Sequence, residues 1–287
     1  MSQPVPVRPP RHRGIYLLPN LVTTAAMFAG FYAIVASIGG RYTDAAIAVF
    51  IAAVLDGLDG RVARLTGTQS EFGVQYDSLS DLISFGLAPA LVMYTWSLST
   101  LREFGPLWGK LGWAAAFIYA ACAALRLARF NTQVGKMDKR YFQGLPTPAS
   151  ALLIATAVLF HEDGGLQPLS WLWFGISLAL AWLMVSRVRF VSGKDIDLKK
   201  RRPFVVLLAF LAVIFFVMIN PYRVLFMLLL AYVLHGVILS LWQKRRAFQM
   251  RARLRQRRHV RQQDQAEPAQ PGASQPKPEH EPEDPGH

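Results

Sequence analysis

The chain has 287 residues, of which 53% are hydrophobic and 17% are charged, and its formal net charge is +13. Soluble domains carry about 25% charged residues, and here long apolar runs are separated by short basic stretches, so the composition excludes an ordinary soluble protein. Because the apolar residues do not alternate with polar ones, a transmembrane β-barrel is also excluded and helical membrane spans remain.

Eight apolar runs approach the roughly 17–25 residues that a helix needs to cross a bilayer, although the fifth and seventh are short. In chain order they are Ile15–Ile38, Tyr42–Leu65, Gly73–Leu98, Leu107–Phe130, Pro146–Phe160, Leu169–Val188, Phe204–Ile219 and Tyr222–Trp242. We therefore predict an all-α fold, a polytopic transmembrane helix bundle of about eight spans. This domain covers residues 15–243 and follows a cytoplasmic N-terminal segment, residues 1–14.

The positive charges are distributed unequally between the two sides of this predicted bundle. If the N-terminus is cytoplasmic, all but four of the 31 lysines and arginines fall on the cytoplasmic side, the exceptions being Arg41, Arg102, Lys110 and Arg223. Cytoplasmic loops carry an excess of Lys and Arg, so we expect both termini in the cytoplasm. Since the charges are spread over loops between spans, they indicate a membrane-facing surface and no nucleic-acid partner.

Residues 244–287 form a cytoplasmic tail with two parts. The stretch RRAFQMRARLRQRRHVRQ is basic and is suited to anionic membrane lipids. The stretch QAEPAQPGASQPKPEHEPEDPGH is rich in proline and polar residues, cannot bury a core, and is predicted to be disordered.

Four aspartates lie at the ends of the second and third predicted spans, in the segment DGLDGRVARLTGTQSEFGVQYDSLSD. Asp56 and Asp59 are three residues apart, and Asp77 and Asp81 are four apart, so each pair occupies one face of its helix. At 1.5 Å per residue, Asp56 and Asp81 lie about 12 Å from the cytoplasmic ends of their helices. Two facing helices would bring the four carboxylates together.

Such a cluster needs compensating positive charge, because four ionised carboxylates repel one another in a low-dielectric site. One alternative is that the acids pair with Arg61 and Arg64 of the same loop. Divalent cations such as Mg²⁺ prefer oxygen ligands and join a few carboxylates to substrate phosphates, and two metals can stabilise both oxygens of a phosphoryl displacement. An acid inside a membrane usually marks a functional site, so we favour metal binding.

The spacing of these residues resembles a known signature. It is Asp56-x2-Asp59-Gly60-x2-Ala63-Arg64-x8-Gly73-x3-Asp77-x3-Asp81, and every fixed position matches the CDP-alcohol phosphatidyltransferase family. The resemblance implies a membrane enzyme that moves a phosphatidyl group from CDP-diacylglycerol to an alcohol and releases CMP. It also implies a homodimer with a six-helix core, to which this chain adds about two C-terminal helices.

The same resemblance implies roles for individual residues. Asp56, Asp59, Asp77 and Asp81 are expected to hold two divalent ions, Mg²⁺ or Mn²⁺, and Asp81 is also expected to be the catalytic base. The segment LPNLVTT in the first span resembles a part of the family that helps close the nucleotide site. The candidates for binding the CDP-lipid are Asn20, Thr23, Gly60, Arg64, Ser70 and Gly73.

Three further stretches indicate which alcohol is used. LRLARFN, FQGLPTPASA and SRVRFVSGK, together with LPNLVTT, resemble the members of the family that use L-serine. Serine has a carboxylate, and arginine suits bidentate recognition of carboxylates. Arg126, Arg129 and Asn131 are therefore the candidates for binding serine, although arginines at cytoplasmic helix ends also serve as membrane anchors.

Other functions stay open from the sequence. The acceptor could be glycerol 3-phosphate, inositol phosphate or choline, and a membrane cation transporter could also use aspartates within its spans. The acids lie toward the cytoplasmic side, and no pair of broken helices recurs in two halves, which argues against a transporter. We expect a multi-pass integral protein of the bacterial inner membrane with an active site that faces the cytoplasm.

Overall fold

The computed structural model describes residues 17–67, 70–133, 141–186, 188–191, 208, 211, 214–240 and 242. The predicted N-terminal segment, the whole predicted C-terminal tail and much of the seventh predicted span lie outside the described residues. The described residues up to Ser240 form one compact unit, and of the second unit, which begins at residue 241, only Trp242 is described.

The described part of the chain is almost entirely helical, which confirms the all-α prediction. The helices are α1 (Leu17–Ile38), α2 (Tyr42–Thr66), α3 (Glu71–Asp81), α4 (Ala88–Trp96), α5 (Pro106–Gln133), α6 (Thr147–Asp163), α7 (Ser170–Val185) and α8 (Pro221–Ser240). A π-helical segment, Leu82–Leu87, joins α3 to α4, and a 3-10 helix, Leu98–Phe104, follows α4.

Among the described residues, four helices are long and apolar enough to cross a membrane: Leu18–Ile38, Glu71–Phe104, Pro106–Thr132 and Pro221–Ser240. They correspond to the first, third, fourth and eighth predicted spans and show that this is an integral membrane protein. Helix α2 is 25 residues long, but its charged residues interrupt the apolar run. Helices α6 and α7 have 17 and 16 residues, so their spanning the bilayer stays a prediction.

Two short strands were not expected from the sequence. Strand β1 (Tyr141–Gln143) pairs antiparallel with β2 (Arg189–Val191), with Phe142 opposite Phe190. The pairing ties the segment after α5 to the segment after α7. It therefore holds the beginning of α6 near the end of α7.

Small side chains allow α1 and α2 to approach closely, as is usual where membrane helices pack. The two helices bury a series of alanines against each other and the core: Ala29, Ala33, Ala36, Ala45, Ala48 and Ala52. Close packing of this kind holds α2 at a fixed depth beside α1. The acids near the end of α2 are therefore carried on a rigid element.

The third span is fastened to α1 by serine hydroxyls. Ser80 Oγ donates to the Thr23 carbonyl oxygen at 3.1 Å, and Ser84 Oγ donates to the Ala26 carbonyl oxygen at 3.1 Å. A Cβ on Gly30 would lie 2.7 Å from Ser84 Cα, so only glycine permits this approach. Because these contacts flank Asp81, they fix its position relative to α1.

Candidate active site

The four predicted acids meet between α2 and α3. Carboxylate oxygens of Asp56, Asp59 and Asp77 all lie within 4.8 Å of one another, and the carboxyl group of Asp81 lies within hydrogen-bonding reach of Asp56. Asp59 is buried and only 5% exposed, whereas the other three are half-buried. The helix-face spacing thus produces the cluster that the sequence predicted.

The arrangement fits a divalent cation better than pairing with arginine. Among the described residues, no lysine or arginine forms an ion pair with any of the four carboxylates, and the ion pair found there is Arg41–Asp44, at 3.5 Å. Asp77 Oδ1 is buried and has no hydrogen-bond partner within the same residues. Since a buried, unpaired carboxylate oxygen is costly, a hard cation with oxygen ligands matches this donor set.

Asp59 is the acid whose position is fixed most directly by a neighbour. Thr23 Oγ1 of α1 donates a hydrogen bond to Asp59 Oδ2 at 2.7 Å. The Thr23 hydroxyl also lies 3.1 Å from the Pro19 carbonyl oxygen of its own helix. Thr23, which was predicted to bind the CDP-lipid, therefore also orients an acid of the cluster.

A cavity of about 240 Å³ opens beside the acids, between α1, α2 and the start of α3. Its walls contain five of the six predicted CDP-lipid residues together with Asp59 and Asp77: Asn20, Thr23, Gly60, Ser70 and Gly73. The sixth, Arg64, lies exposed near the end of α2 and is outside this lining. A larger apolar groove between α1 and α2 contains none of the predicted site residues.

The first turn of α3 forms one wall of this cavity, and Ser70 has a structural role there that the sequence did not reveal. Ser70 is the N-cap residue of α3, and its Oγ accepts a hydrogen bond from the Gly73 backbone N–H at 3.0 Å. A Cβ on Gly73 would lie 3.2 Å from that Oγ and 3.7 Å from Asn20 Oδ1. Gly73 therefore keeps the cavity wall thin where α3 meets α1.

The three predicted serine-binding residues make different contacts. Arg126 Nη1 donates to Thr147 Oγ1 at 3.0 Å, and its guanidinium interacts electrostatically with Asp81. Arg129 Nη1 donates to the Val185 carbonyl oxygen at the end of α7, at 3.2 Å. Arg126 thus fastens α5 to the beginning of α6 within electrostatic reach of Asp81, whereas this bond of Arg129 fastens α5 to α7.

Asn131 contacts a residue of α3 that adjoins the acidic cluster. Its Nδ2 donates to Ser78 Oγ at 2.9 Å, and Ser78 adjoins Asp77 on α3. Neither Ser78 nor Thr147 was expected from the sequence. Thr147 stands in the stretch FQGLPTPASA, which resembles serine-using enzymes, whereas no pattern indicated Ser78.

Fold and site together define an integral membrane protein with an acidic cluster between two helices and a cavity beside it. The sequence model of the CDP-alcohol phosphatidyltransferase family matches residues 16–186, and the chain belongs to that family. The family uses divalent metal ions, in agreement with the acidic cluster.

Relatives of known activity cover most of the chain. It is 34% identical over 229 residues to a CDP-diacylglycerol–serine O-phosphatidyltransferase of Helicobacter pylori, covering 78% of this chain and 91% of that protein. An enzyme of the same name from Mycobacterium leprae is 31% identical over 239 residues, or 79% of this chain and 76% of the relative. An archaetidylserine synthase of Methanothermobacter thermautotrophicus is 36% identical over 175 residues, covering 60% of this chain and 69% of the relative.

Proposed function

We propose that the protein transfers the phosphatidyl group of CDP-diacylglycerol to the hydroxyl of L-serine, which yields phosphatidylserine and CMP. The observation that carries this proposal is the position of Asp81. Its carboxyl group lies within hydrogen-bonding reach of Asp56 and interacts electrostatically with Arg126. It is therefore near both an acidic cluster suited to the phosphates and a cation suited to a carboxylate.

The donor is proposed to place its cytidine diphosphate portion in the cavity lined by Asn20, Thr23, Gly60, Ser70 and Gly73. Gly60 and Gly73 keep side chains out of this space, so a bulky nucleotide can approach the backbone. Arg64 is proposed to reach the same ligand from the exposed end of α2.

Two divalent ions, Mg²⁺ or Mn²⁺, are proposed to be held by Asp56, Asp59, Asp77 and Asp81. When bound, they would neutralise the diphosphate and polarise its phosphorus for attack. Asp81 is proposed as the general base that takes the proton from the serine hydroxyl. The serine oxygen then forms its bond to the phosphorus that carries diacylglycerol, the bond from that phosphorus to CMP breaks, and CMP leaves.

Arg126 is proposed to bind the serine carboxylate. Its Nη1 bond to Thr147 leaves further N–H donors of the guanidinium, and its Nε is buried without a hydrogen-bond partner among the described residues. A buried donor of this kind is costly unless a ligand satisfies it. Asn131 and Arg129 are proposed to support the pocket through Ser78 and α7.

The setting of the enzyme is proposed from the charge distribution and the relatives. The excess of basic residues on one side predicts an active site facing the cytoplasm of a bacterial inner membrane. Anionic lipids are proposed to bind the basic tail, a homodimer is proposed as the working assembly, and no nucleic-acid partner is expected.

The test is to supply purified protein in detergent or liposomes with CDP-diacylglycerol and one alcohol at a time, and to measure CMP release. We expect L-serine to give the fastest release, ahead of glycerol 3-phosphate, inositol phosphate, choline and ethanolamine. If another alcohol outruns serine, the family assignment stands and the proposed acceptor is wrong. Release that does not depend on any alcohol would contradict a transferase activity.

A further inference from the structure

The backbone of the stretch FQGLPTPASA, which leads into α6, is fixed against the end of α7. The Gly144 N–H donates to the Val188 carbonyl oxygen at 2.8 Å, and the Leu145 N–H donates to the Leu183 carbonyl oxygen at 3.1 Å. Gly144 has a φ of 81°, and a Cβ at this position would collide with the Met184 carbonyl oxygen. Because only glycine fits there, the chain enters α6 along one path.

This path places two buried hydroxyls of α6 against side chains of α5. Thr147 is the first residue of α6 and is 0% exposed, and its Oγ1 accepts the hydrogen bond from Arg126 Nη1 at 3.0 Å. Ser150, one turn further along, is also 0% exposed, and its Oγ accepts a hydrogen bond from the Tyr119 hydroxyl at 3.0 Å. Each hydroxyl therefore holds one side chain of α5.

The two bonds differ in what they leave unsatisfied. The Tyr119 hydroxyl has a single hydrogen to donate, and Ser150 accepts it. The Arg126 guanidinium has five N–H donors, and its Nε is buried without a hydrogen-bond partner among the described residues. A buried donor without a partner is costly. The bond between Arg126 and Thr147 is therefore arranged to leave room for a ligand, whereas the bond between Tyr119 and Ser150 is complete.

The bond to Thr147 determines which edge of the guanidinium stays available. Nη1 lies on the same side of the guanidinium as Cδ, so its engagement leaves the opposite edge, on which the N–H groups of Nε and Nη2 are parallel. Two parallel N–H groups bind both oxygens of a carboxylate.

We propose that Thr147 is a positioning residue for the acceptor, which holds Arg126 by Nη1 and so presents the edge formed by Nε and Nη2 to the acceptor's carboxylate. The stretch that leads into α6 then takes part in selecting the alcohol. This inference rests on the proposed function, in which Arg126 binds the serine carboxylate.

The first measurement compares Thr147→Val, which keeps the shape of the side chain and removes its hydroxyl, with the wild-type protein. Loss of one hydrogen bond should raise the serine KM about three- to tenfold, with kcat and the CDP-diacylglycerol KM within about twofold. Thr147→Ser retains the hydroxyl and should keep the wild-type serine KM. An unchanged serine KM in a folded Thr147→Val protein would overturn the proposal.

Ser150→Ala is the matched control, because it removes another buried hydroxyl of α6 that binds a side chain of α5. It should lower the melting temperature and leave the serine KM unchanged. If Ser150→Ala and Thr147→Val raise the serine KM equally, Thr147 is a packing contact and the proposal is wrong. Thr147→Ala removes the same hydroxyl and takes the place of Thr147→Val if the valine variant does not fold.

The second measurement combines Thr147→Val with Arg126→Ala and compares kcat/KM for serine. If Thr147 acts through Arg126, its substitution should change kcat/KM by less than about twofold once the guanidinium is absent. Effects that multiply independently would overturn the proposal. Ethanolamine, which lacks a carboxylate, should be turned over equally slowly with and without Thr147→Val, and an equal loss with ethanolamine would also contradict the positioning role.

The acceptor panel keeps this inference distinct from the proposed function. Serine as the fastest acceptor, together with no effect of Thr147→Val, would overturn the positioning role alone. If another anionic alcohol is faster, the serine assignment fails, and the same variants are compared through the KM of that alcohol. Loss of the Thr147 effect in the Arg126→Ala background would then still support the positioning role. A preference for choline, which carries no anion, would overturn both.

Discussion

The proposed donor side of the site, the cavity beside the acids, and its proposed acceptor side, around Arg126, are built differently. The cavity of about 240 Å³ on the donor side is formed by α1, α2 and the start of α3, and all its lining residues lie between positions 19 and 77. The proposed acceptor side joins Arg126 of α5 to Thr147 of α6 and Asn131 of α5 to Ser78 of α3. The donor side is thus local in sequence, whereas the acceptor side is assembled from distant segments.

The hydrogen bonding of the two sides also differs. On the donor side Thr23 satisfies Asp59, and Ser70 caps α3. On the acceptor side Arg126 Nε is buried with no partner among the described residues. With this arrangement, residues on the acceptor side can be substituted to suit a different alcohol while the signature residues of α2 and α3 stay the same. Four predictions test the division, beginning with the largest effect.

Removal of divalent ions should abolish turnover, because the four carboxylates have no ion-pair partner among the described residues that could replace a cation. Excess chelator should reduce CMP release to background, and added Mg²⁺ or Mn²⁺ should restore it. Asp77→Asn should also lose most activity while the protein stays folded, since Asp77 Oδ1 has no hydrogen bond there to lose. Full activity in excess chelator would show that the cluster works without metal.

Asp81→Asn should lower kcat by about 10²–10⁴-fold, the range typical of a lost general base. The variant should still bind CDP-diacylglycerol, because Asp81 is absent from the lining of the donor cavity. Donor binding can be measured by thermal stabilisation of the purified protein on adding CDP-diacylglycerol. A variant that loses this stabilisation and keeps its kcat would assign Asp81 to the donor side.

Arg126→Ala should raise the serine KM by about one to two decades, since a hydrogen bond to a charged group contributes ~1.5–3 kcal/mol. The donor KM should change far less. Arg129→Ala is the comparison, because its guanidinium donates to the Val185 carbonyl. Arg129→Ala should lower the melting temperature of the protein and leave the serine KM largely unchanged. Equal increases of the serine KM in both variants would contradict the separation of their roles.

Ethanolamine provides a control for the same substitution. It lacks a carboxylate, so it should be a poor substrate of the wild-type protein. Its slow turnover should be indifferent to Arg126→Ala. A comparable loss with ethanolamine would show that Arg126 acts on the chemistry and not on the carboxylate.

The donor side could be predicted well from sequence because helical periodicity and one signature contain most of its geometry. Asp56 and Asp59, and Asp77 and Asp81, share helix faces by spacing alone, and the structure brings both pairs together. What the spacing could not reveal was local competition for hydrogen bonds. Ser70 has a hydroxyl suited either to a ligand or to a helix cap, and its bond to the Gly73 N–H appears only when the start of α3 is known.

The acceptor side could be predicted only in part, because its contacts depend on tertiary packing. The sequence indicated Arg126 and Arg129 as equal candidates for binding serine. Only their different contacts, with α6 and with α7, distinguish the two. The π-helical segment Leu82–Leu87 was not expected either, since its apolar residues also suit a regular helix. Ser78 lies 53 residues from Asn131 in the chain, and no periodic pattern connects the two.

The smallest predicted effect concerns the open space on the donor side. A Cβ added to Gly60 or to Gly57 would meet nothing within 4 Å beyond the adjoining backbone of its own helix, so neither Gly60→Ala nor Gly57→Ala should clash with the fold. Gly60 lines the donor cavity and Gly57 does not. A methyl group at position 60 occupies space proposed for the nucleotide, so Gly60→Ala should raise the CDP-diacylglycerol KM several-fold.

Gly57→Ala serves as the control for helix propensity, since alanine is favoured over glycine inside a helix by about 1 kcal/mol at either position. Both variants should therefore keep or slightly raise the melting temperature, and only Gly60→Ala should weaken donor binding. The serine KM should stay unchanged in both, because Arg126 and Thr147 lie on other helices. A donor KM that rises equally in both variants would mean that α2 has shifted as a whole, and the cavity beside Gly60 would then not be the donor site.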